Sequence, residues 1–331
     1  MAAYKGIKGF KVQTLAADPV ATAAWSSGGD LNTGRNNSAG LGTATAAAVA
    51  GGANSPIGYT NKTEEYNGTA WTEVVNYPAS RTYMQAAGSQ TAGLYCGGAS
   101  PPSSACFLYD GTSFTATGSG AMILKQGACC GLSTAALYCG GEIPAVTTQS
   151  EEFNGSTWSA GGAMSQSRNN NISFGIQTDA VTVGGAPSPG AQYNAEEYNG
   201  TSWTVGNALN TGREFGGGPG AGTASTAGMV AAGSGPPVPG VSSAAESYDG
   251  TSWSIKSATL TTGRSGATGT RAPVTSYLVT GGTPGYKVTT ETYSENSEPN
   301  TFLNEGQVWY NSTGNALKFY DGTAVKTVTV S

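Results

Sequence analysis

Short apolar runs, each closed by a pair of small residues, recur along this chain. Leu94-Tyr95-Cys96 runs into Gly97-Gly98, and the same pattern leads into Gly51-Gly52, Gly140-Gly141, Gly184-Gly185, Gly233-Ser234 and Gly281-Gly282. After each run comes a stretch with Glu-x-Tyr at its centre, where adjacent residues point to opposite faces as on a β-strand. The stretch then turns at Asn-Gly or Asp-Gly and reaches a Trp. The phrase reads EEYNGTAW at 64–71, EEFNGSTW at 151–158, EEYNGTSW at 196–203 and ESYDGTSW at 246–253, with a weaker copy, FLYDGTSF, at 107–114. Asn-Gly or Asp-Gly between two such runs is a hairpin signal and predicts a type I′ turn.

The landmarks keep phase. The 230 residues from Gly52 to Gly282 span five intervals, a mean of 46. An aromatic pair five residues apart marks each copy: Tyr66/Trp71, Tyr109/Phe114, Phe153/Trp158, Tyr198/Trp203 and Tyr248/Trp253. A basic residue follows each Trp or Phe: Arg35 after Trp25, then Arg81, Lys125, Arg168, Arg213 and Arg264. Each unit reads as four short strands. Strand a follows the basic residue, b runs into the small doublet, c carries Glu-x-Tyr, and d carries the Trp. Four strands on a period of 46 is propeller spacing.

The ends show how the ring closes. At the repeat spacing, Trp25 has no doublet and no Tyr before it, while Gly281-Gly282 and Tyr293 have no Trp after them. The N-terminus therefore supplies strand d of the last blade and the C-terminal part supplies a, b and c. This 3+1 closure gives six blades and removes the sheet edge that an open array would expose. A seventh blade using Tyr320-Asp321-Gly322-Thr323 has no doublet and no basic partner. The expected fold is all-β: a six-bladed propeller over 20–296, an N-terminal attachment segment over 1–19, and a C-terminal attachment segment over 297–331. The last contains a hairpin with strands at about 306–311 and 316–320 around Thr313-Gly314-Asn315, and Thr327–Val330 is a candidate third strand. A lone hairpin is marginal in water, so Gly6–Gln13 or another subunit is its expected neighbour.

Composition sharpens this picture. The 51 Gly and 15 Pro suit turns between short strands, and 38% hydrophobic residues still allow a core. Charged residues are 11% of the chain, with a net charge of −5, which argues against a nucleic-acid partner. The chain contains no His, which removes Ser-His-Asp and Cys-His catalysis and every His-ligated metal. No CxxC pair occurs among Cys96, Cys106, Cys129, Cys130 and Cys139, which read as small buried side chains of a reducing compartment. A disulfide formed later in an oxidising medium stays open. The N-terminus lacks the apolar core of a secretion signal, and no run of 18 apolar residues suggests membrane insertion. The expectation is a non-enzyme without cofactor or metal.

Several residues invite a chemical reading. Glu64, Glu151, Glu196, Glu246 and Glu291 share one repeat position and the basic residues another, so each Glu is expected to meet the Arg of its own blade in a partly buried, bidentate pair. Phe107 in place of Glu is matched to Lys125 in place of Arg. The competing reading is a ring of Arg around an anion. The aromatic pairs either wedge between blades or stack on sugars. Glu64 and Glu65 point to opposite faces and so cannot act as a glycosidic pair. Gly216–Gly220 lacks the Lys-Ser/Thr of a phosphate loop, and Asn311-Ser312-Thr313 is a bare sequon. The b–c loops differ most between repeats, and Tyr59, Pro101, Pro144, Tyr193, Pro237 and Tyr286 in them are the candidate binding residues.

The order Gly-Gly, Glu-x-Tyr-Asn/Asp, Trp, Arg over 20–296 resembles the kelch repeat, with departures at Phe114, Ser234 and Phe107. The copper site of the kelch-like enzyme galactose oxidase needs His and does not carry over. Tyr4-Lys-Gly-Ile-Lys-Gly-Phe-Lys-Val-Gln with Leu15-Ala-Ala-Asp-Pro19 resembles the opening of kelch-like structural proteins of marine tailed phages. Gly306-Gln-Val-Trp-Tyr-Asn-Ser with Leu317-Lys-Phe-Tyr-Asp-Gly-Thr is similar to a segment of phage tail and fibre proteins. The resemblance implies a virion protein assembled in the host cytoplasm. Its implied partners are other virion proteins or sister subunits, and a host cell-surface glycan or protein. An intracellular kelch interaction module is the other reading, and a glycan-active propeller a third.

Overall fold

The computed structural model describes residues 13–15, 23–56, 58–120, 125–186, 193–214, 220–235, 238–271, 273–295, 308–311, 316–320 and 325–328. Every regular element among them is a strand. The chain forms two compact units, Ala24–Ser294 and a smaller one made of Met1–Ala23 with Glu295–Ser331.

The larger unit is a six-bladed β-propeller. Blade 1 consists of Ala39–Thr43, Ala46–Ala50, Thr63–Tyr66 and Trp71–Glu73, paired in that order as strands a to d. Blades 2 to 5 repeat the order over 82–117, 128–160, 172–206 and 221–255. Blade 6 takes Thr268–Gly269, Ser276–Thr280 and Thr290–Glu295 from the end of the unit, and Ala23–Ser27 as its outer strand. The 3+1 closure is therefore present, and the Gly28 N–H continues it with a 2.9 Å bond to the Thr290 carbonyl. Strands a lie innermost. Neighbouring ones touch from blade 1 through blade 5, and that of blade 6 touches that of blade 1.

Small residues dominate the inner strands because sheets converge on the axis. Ala47, Ala48, Val49 and Ala50 are all buried, and a Cβ on Gly40 would lie 2.2 Å from Thr268 Cγ2 of blade 6. In the doublets both residues have positive φ, 66° and 105° at Gly51-Gly52. A Cβ on Gly52 would sit 2.8 Å from the Asn36 carbonyl, so the second place belongs to glycine. Blade 5 corrects one landmark. Its doublet is Ala232-Gly233, at 64° and 100°, and Ser234 is the next residue, paired with Glu214 as Ala53 is with Asn36. The c–d turns also differ from the I′ expectation. Only the glycine, at Gly68, Gly111, Gly155, Gly200 and Gly250, has positive φ, between 87° and 96°. Glycine at the first central place is the II′ arrangement. The preceding Asn or Asp side chain accepts the turn's N–H groups, as Asn67 Oδ1 does from Thr69 and Ala70 at 2.9 Å.

The smaller unit is one four-stranded sheet, ordered Gln13–Leu15, Val308–Asn311, Ala316–Tyr320, Val325–Thr327. The expected hairpin is there, with Gln13–Leu15 parallel to its first strand. The third strand begins at Val325, opposite Tyr320, two residues before the expected Thr327. Tyr320 thus belongs to this sheet and not to a seventh blade. Thr313–Asn315, Gly6–Lys11 and Val12 lie outside the described residues.

Candidate functional site

Each of four blades is tied at its loop-bearing end by one buried Arg–Glu pair. Arg35 meets Glu64, Arg168 meets Glu196 at 2.7 Å, Arg213 meets Glu246 at 2.6 Å and Arg264 meets Glu291 at 2.5 Å. All eight side chains are at most 4% exposed. The pairs are single-point, not bidentate. In blade 1 Arg35 Nη1 donates to the Gly51 and Lys62 carbonyls, at 3.0 and 2.8 Å, Nε donates to the Thr33 carbonyl at 3.2 Å, and the other carboxylate oxygen accepts the Asn32 N–H at 2.6 Å. One pair thus joins the d–a loop, the end of strand b and the start of strand c. Burial pulls the Arg35 and Arg264 pKa values down, and the attached carboxylates oppose the pull. Guanidinium groups held this way are not aimed at an anion.

Blades 2 and 3 depart from the clamp, and not in the way the sequence spacing suggests. Phe107 and Arg81 share blade 2, where Arg81 donates to the Pro101 carbonyl at 2.7 Å. Lys125 edges blade 3 and sits one place past the repeat Arg. Its carbonyl accepts the Glu142 N–H at 3.1 Å, as the Asn36 carbonyl accepts that of Ala53. Its ammonium lies 3.6 Å from Glu142, and Glu151 stays buried. Phe107 has a local cause. In blades 1, 4, 5 and 6 the Glu accepts the N–H of the residue after a buried loop anchor: Asn32, Ser165, Asn210 and Thr261. In blade 2 the anchor is Tyr77 and the next residue is Pro78, which has no N–H to give. Phe107 packs on Tyr77 instead, with centroids 5.3 Å apart.

The aromatic residues lie between blades. Trp71 donates to Thr290 Oγ1 of blade 6 at 2.9 Å, Trp203 to Ser150 Oγ of blade 3 at 3.4 Å, and Trp253 to the Asn207 carbonyl of blade 4 at 2.9 Å. Those three are at most 9% exposed. Trp158, Phe114 and Trp25 are half-buried against Phe153, Tyr109 and Tyr293. The second Glu of the motif latches the next blade: Tyr109 donates to Glu65 at 2.8 Å, Tyr198 to Glu152 at 2.6 Å, and Tyr248 to Glu197. Sequence reasoning missed these latches, although spacing could have revealed them. Leu108 replaces the acceptor in blade 2, and blade 3 then carries Phe153 where its neighbours carry Tyr. Glu64 and Glu65 do point opposite ways, one to Arg35 and one to Tyr109.

The exposed chemistry is on the face carrying the b–c and d–a loops. Tyr59, Tyr193 and Tyr286 are 42%, 36% and 43% exposed; Pro101 and Pro144 are exposed, and Pro237 lies outside the described residues. Three of these loops contain small two-stranded ribbons, such as Ala53–Asn54 with Gly58–Tyr59. At the axis the loops give way to a ring that the sequence did not announce. Asn37, Tyr83, Gln126, Asn170 and Gly266, one from each of five blades, have φ between 49° and 59°. Four of these N–H groups donate to the preceding carbonyl: Asn37 to Gly266 at 2.8 Å, Tyr83 to Asn37 at 2.8 Å, Gln126 to Tyr83 at 3.5 Å and Asn170 to Gln126 at 2.5 Å. The counterpart in blade 5 lies outside the described residues. Left-handed backbone costs a non-glycine residue about 1–2 kcal/mol, so Tyr83 and Gln126 hold a strained conformation. Inside the ring is a cavity of about 50 Å³ whose described lining contains no charged side chain.

All five cysteines are free and buried. Burial pushes the Cys96, Cys129, Cys130 and Cys139 thiols up, away from the reactive thiolate. Among the described residues no group of three or more His, Cys, Asp or Glu is placed to hold a metal, and no helix is long and apolar enough to cross a membrane. Fold and site define a six-bladed β-propeller whose loops stand on a clamped frame. No protein-family model matches the chain, and no curated protein matches it in sequence.

Proposed function

We propose that this propeller is built of kelch repeats and serves as a non-catalytic structural protein of a tailed-phage particle, in a tail, fibre or capsid-decorating position. The observation that carries the reading is the contrast within the four clamped blades. The same buried clamp recurs under b–c loops that differ from blade to blade and expose Tyr59, Tyr193 and Tyr286. A rigid frame under variable loops is how recognition is commonly carried. The resemblance of the two terminal segments to phage structural proteins supports a place on a particle, where those segments attach the propeller and the loops meet the host surface.

Mass spectrometry of density-purified particles tests this, with copy number scaled to the major capsid protein. Presence at a stoichiometry matching tail or capsid symmetry is the expected result. Confinement to the infected-cell lysate overturns it and makes the intracellular kelch interaction module the leading reading.

A further inference from the structure

We infer that the mouth of the axial cavity is a binding site for a neutral saccharide, with Tyr83 as the stacking surface and Asn37, Gln126 and Asn170 as hydroxyl-binding groups. Three kinds of observation converge there. The ring backbone needs left-handed φ in every described blade, and glycine, as at Gly266, meets that need without strain. Four of the five described positions instead carry a large polar or aromatic side chain, and two of them, Tyr83 and Gln126, hold it at the mouth against a conformational penalty. Strain of this kind collects at functional sites. Second, three of the four are primary amides, each both donor and acceptor, as a sugar hydroxyl is.

Third, burial together with the neighbouring Tyr59 hydroxyl raises the Tyr83 pKa, so the phenol stays neutral; the ring itself is half-buried, with part left to meet a ligand. The described lining carries no charged side chain, which suits a neutral sugar better than a phosphate or a uronate, since those residues offer neither of them a counter-charge. The cavity, about 50 Å³, has room for several water-sized groups and so for a hydroxymethyl arm. The sugar ring would lie across Tyr83 with one arm inserted into the cavity.

The inference concerns the purified chain and does not depend on a place in a particle. Saturation-transfer NMR on the full-length protein, titrated with methyl glucoside, methyl galactoside and methyl mannoside, tests it; glucuronate is the charged comparator. At least one neutral hexoside is expected to bind saturably and better than glucuronate. Tyr83→Gly and Gln126→Gly should each weaken it about tenfold or more without lowering the melting temperature, because glycine relieves the backbone strain. Tyr286→Ala, in an outer loop, should leave binding unchanged. Should Tyr83→Gly fail to fold, Gln126→Gly still decides. Binding that survives the glycine variants, that prefers glucuronate, that is lost with Tyr286→Ala, or that is absent for all three hexosides overturns the site. None of these results bears on whether the protein is found in particles.

Discussion

Phe153 lacks the hydroxyl that Tyr109, Tyr198 and Tyr248 give to the neighbouring blade, and the blade it faces lacks the acceptor, carrying Leu108 where blades 1, 3 and 4 carry Glu. A buried donor without an acceptor costs more than the bond is worth when made. Phe153→Tyr alone should therefore destabilise the protein by about 1–3 kcal/mol, since it buries a phenol against Leu108. Adding Leu108→Glu should recover most of the loss, and a double-mutant cycle of urea midpoints reads the coupling. Additive single effects would show that the latch does not transfer. Ala232 gives a second case. It holds φ 64° where every other doublet has glycine. Ala232→Gly should raise stability by about 1 kcal/mol, the relief of left-handed strain, seen as a higher melting temperature. An unchanged or lower temperature would mean that its methyl packs well enough to offset the strain.

Within a blade the buried clamp joins three segments that strand pairing alone leaves loose at one end. Removing one partner strands the other as an uncompensated buried charge. Arg213→Met should cost about 3–5 kcal/mol by leaving Glu246 buried without its cation. Arg81→Met should cost far less, because among the described residues Arg81 reaches the Pro101 carbonyl and no carboxylate, and it is partly exposed. Equal losses would show that the pair is not what the blade relies on. Most of the blade was legible from sequence because its signals are local: the doublet, the Asn-Gly turn and the Glu–Arg spacing each report on a few neighbouring residues. The errors came where one residue decides phase. Lys125 looked like the sixth Arg, yet sits one place late, and Gly233-Ser234 looked like the doublet because alanine was not expected at positive φ. The turn type was missed because Asn-Gly suits both I′ and II′, and the choice rests on which residue opens the turn. The axial ring was illegible since Asn37, Tyr83, Gln126 and Asn170 share no residue type; only the backbone makes them equivalent.

Across the whole ring, stability depends on blade interfaces and on the strand that joins the ends. Burial and then the bond to Glu152 lift the Tyr198 phenol to about 12, and Tyr109 and Tyr248 rise for the same reasons. The ordinary value is 10.0. Below it both folded and unfolded chains keep these protons, so stability is independent of pH on their account. Above it the unfolded chain ionises first, so stability falls as pH rises from about 10 toward about 12. The part of the phenolate absorbance that Tyr198→Phe removes should appear together with loss of β-sheet signal, whereas titration of that part ahead of unfolding would place the phenol in water. The closing strand gives the last test. Trp25 packs 5.4 Å from Tyr293 and 6.1 Å from Tyr277, but is half-buried, so Trp25→Ala should cost about 2 kcal/mol, less than a fully buried Trp. Deleting residues 1–27 does more: it removes Ala23–Ser27 and leaves Thr290–Glu295 as an unpaired edge. Such an edge invites another strand. The truncated chain should melt lower and self-associate, and a synthetic peptide covering residues 20–30, added in excess, should restore the monomer by refilling that edge. A truncated chain that stays monomeric at the full-length melting temperature would show that the other five blades hold the ring without it.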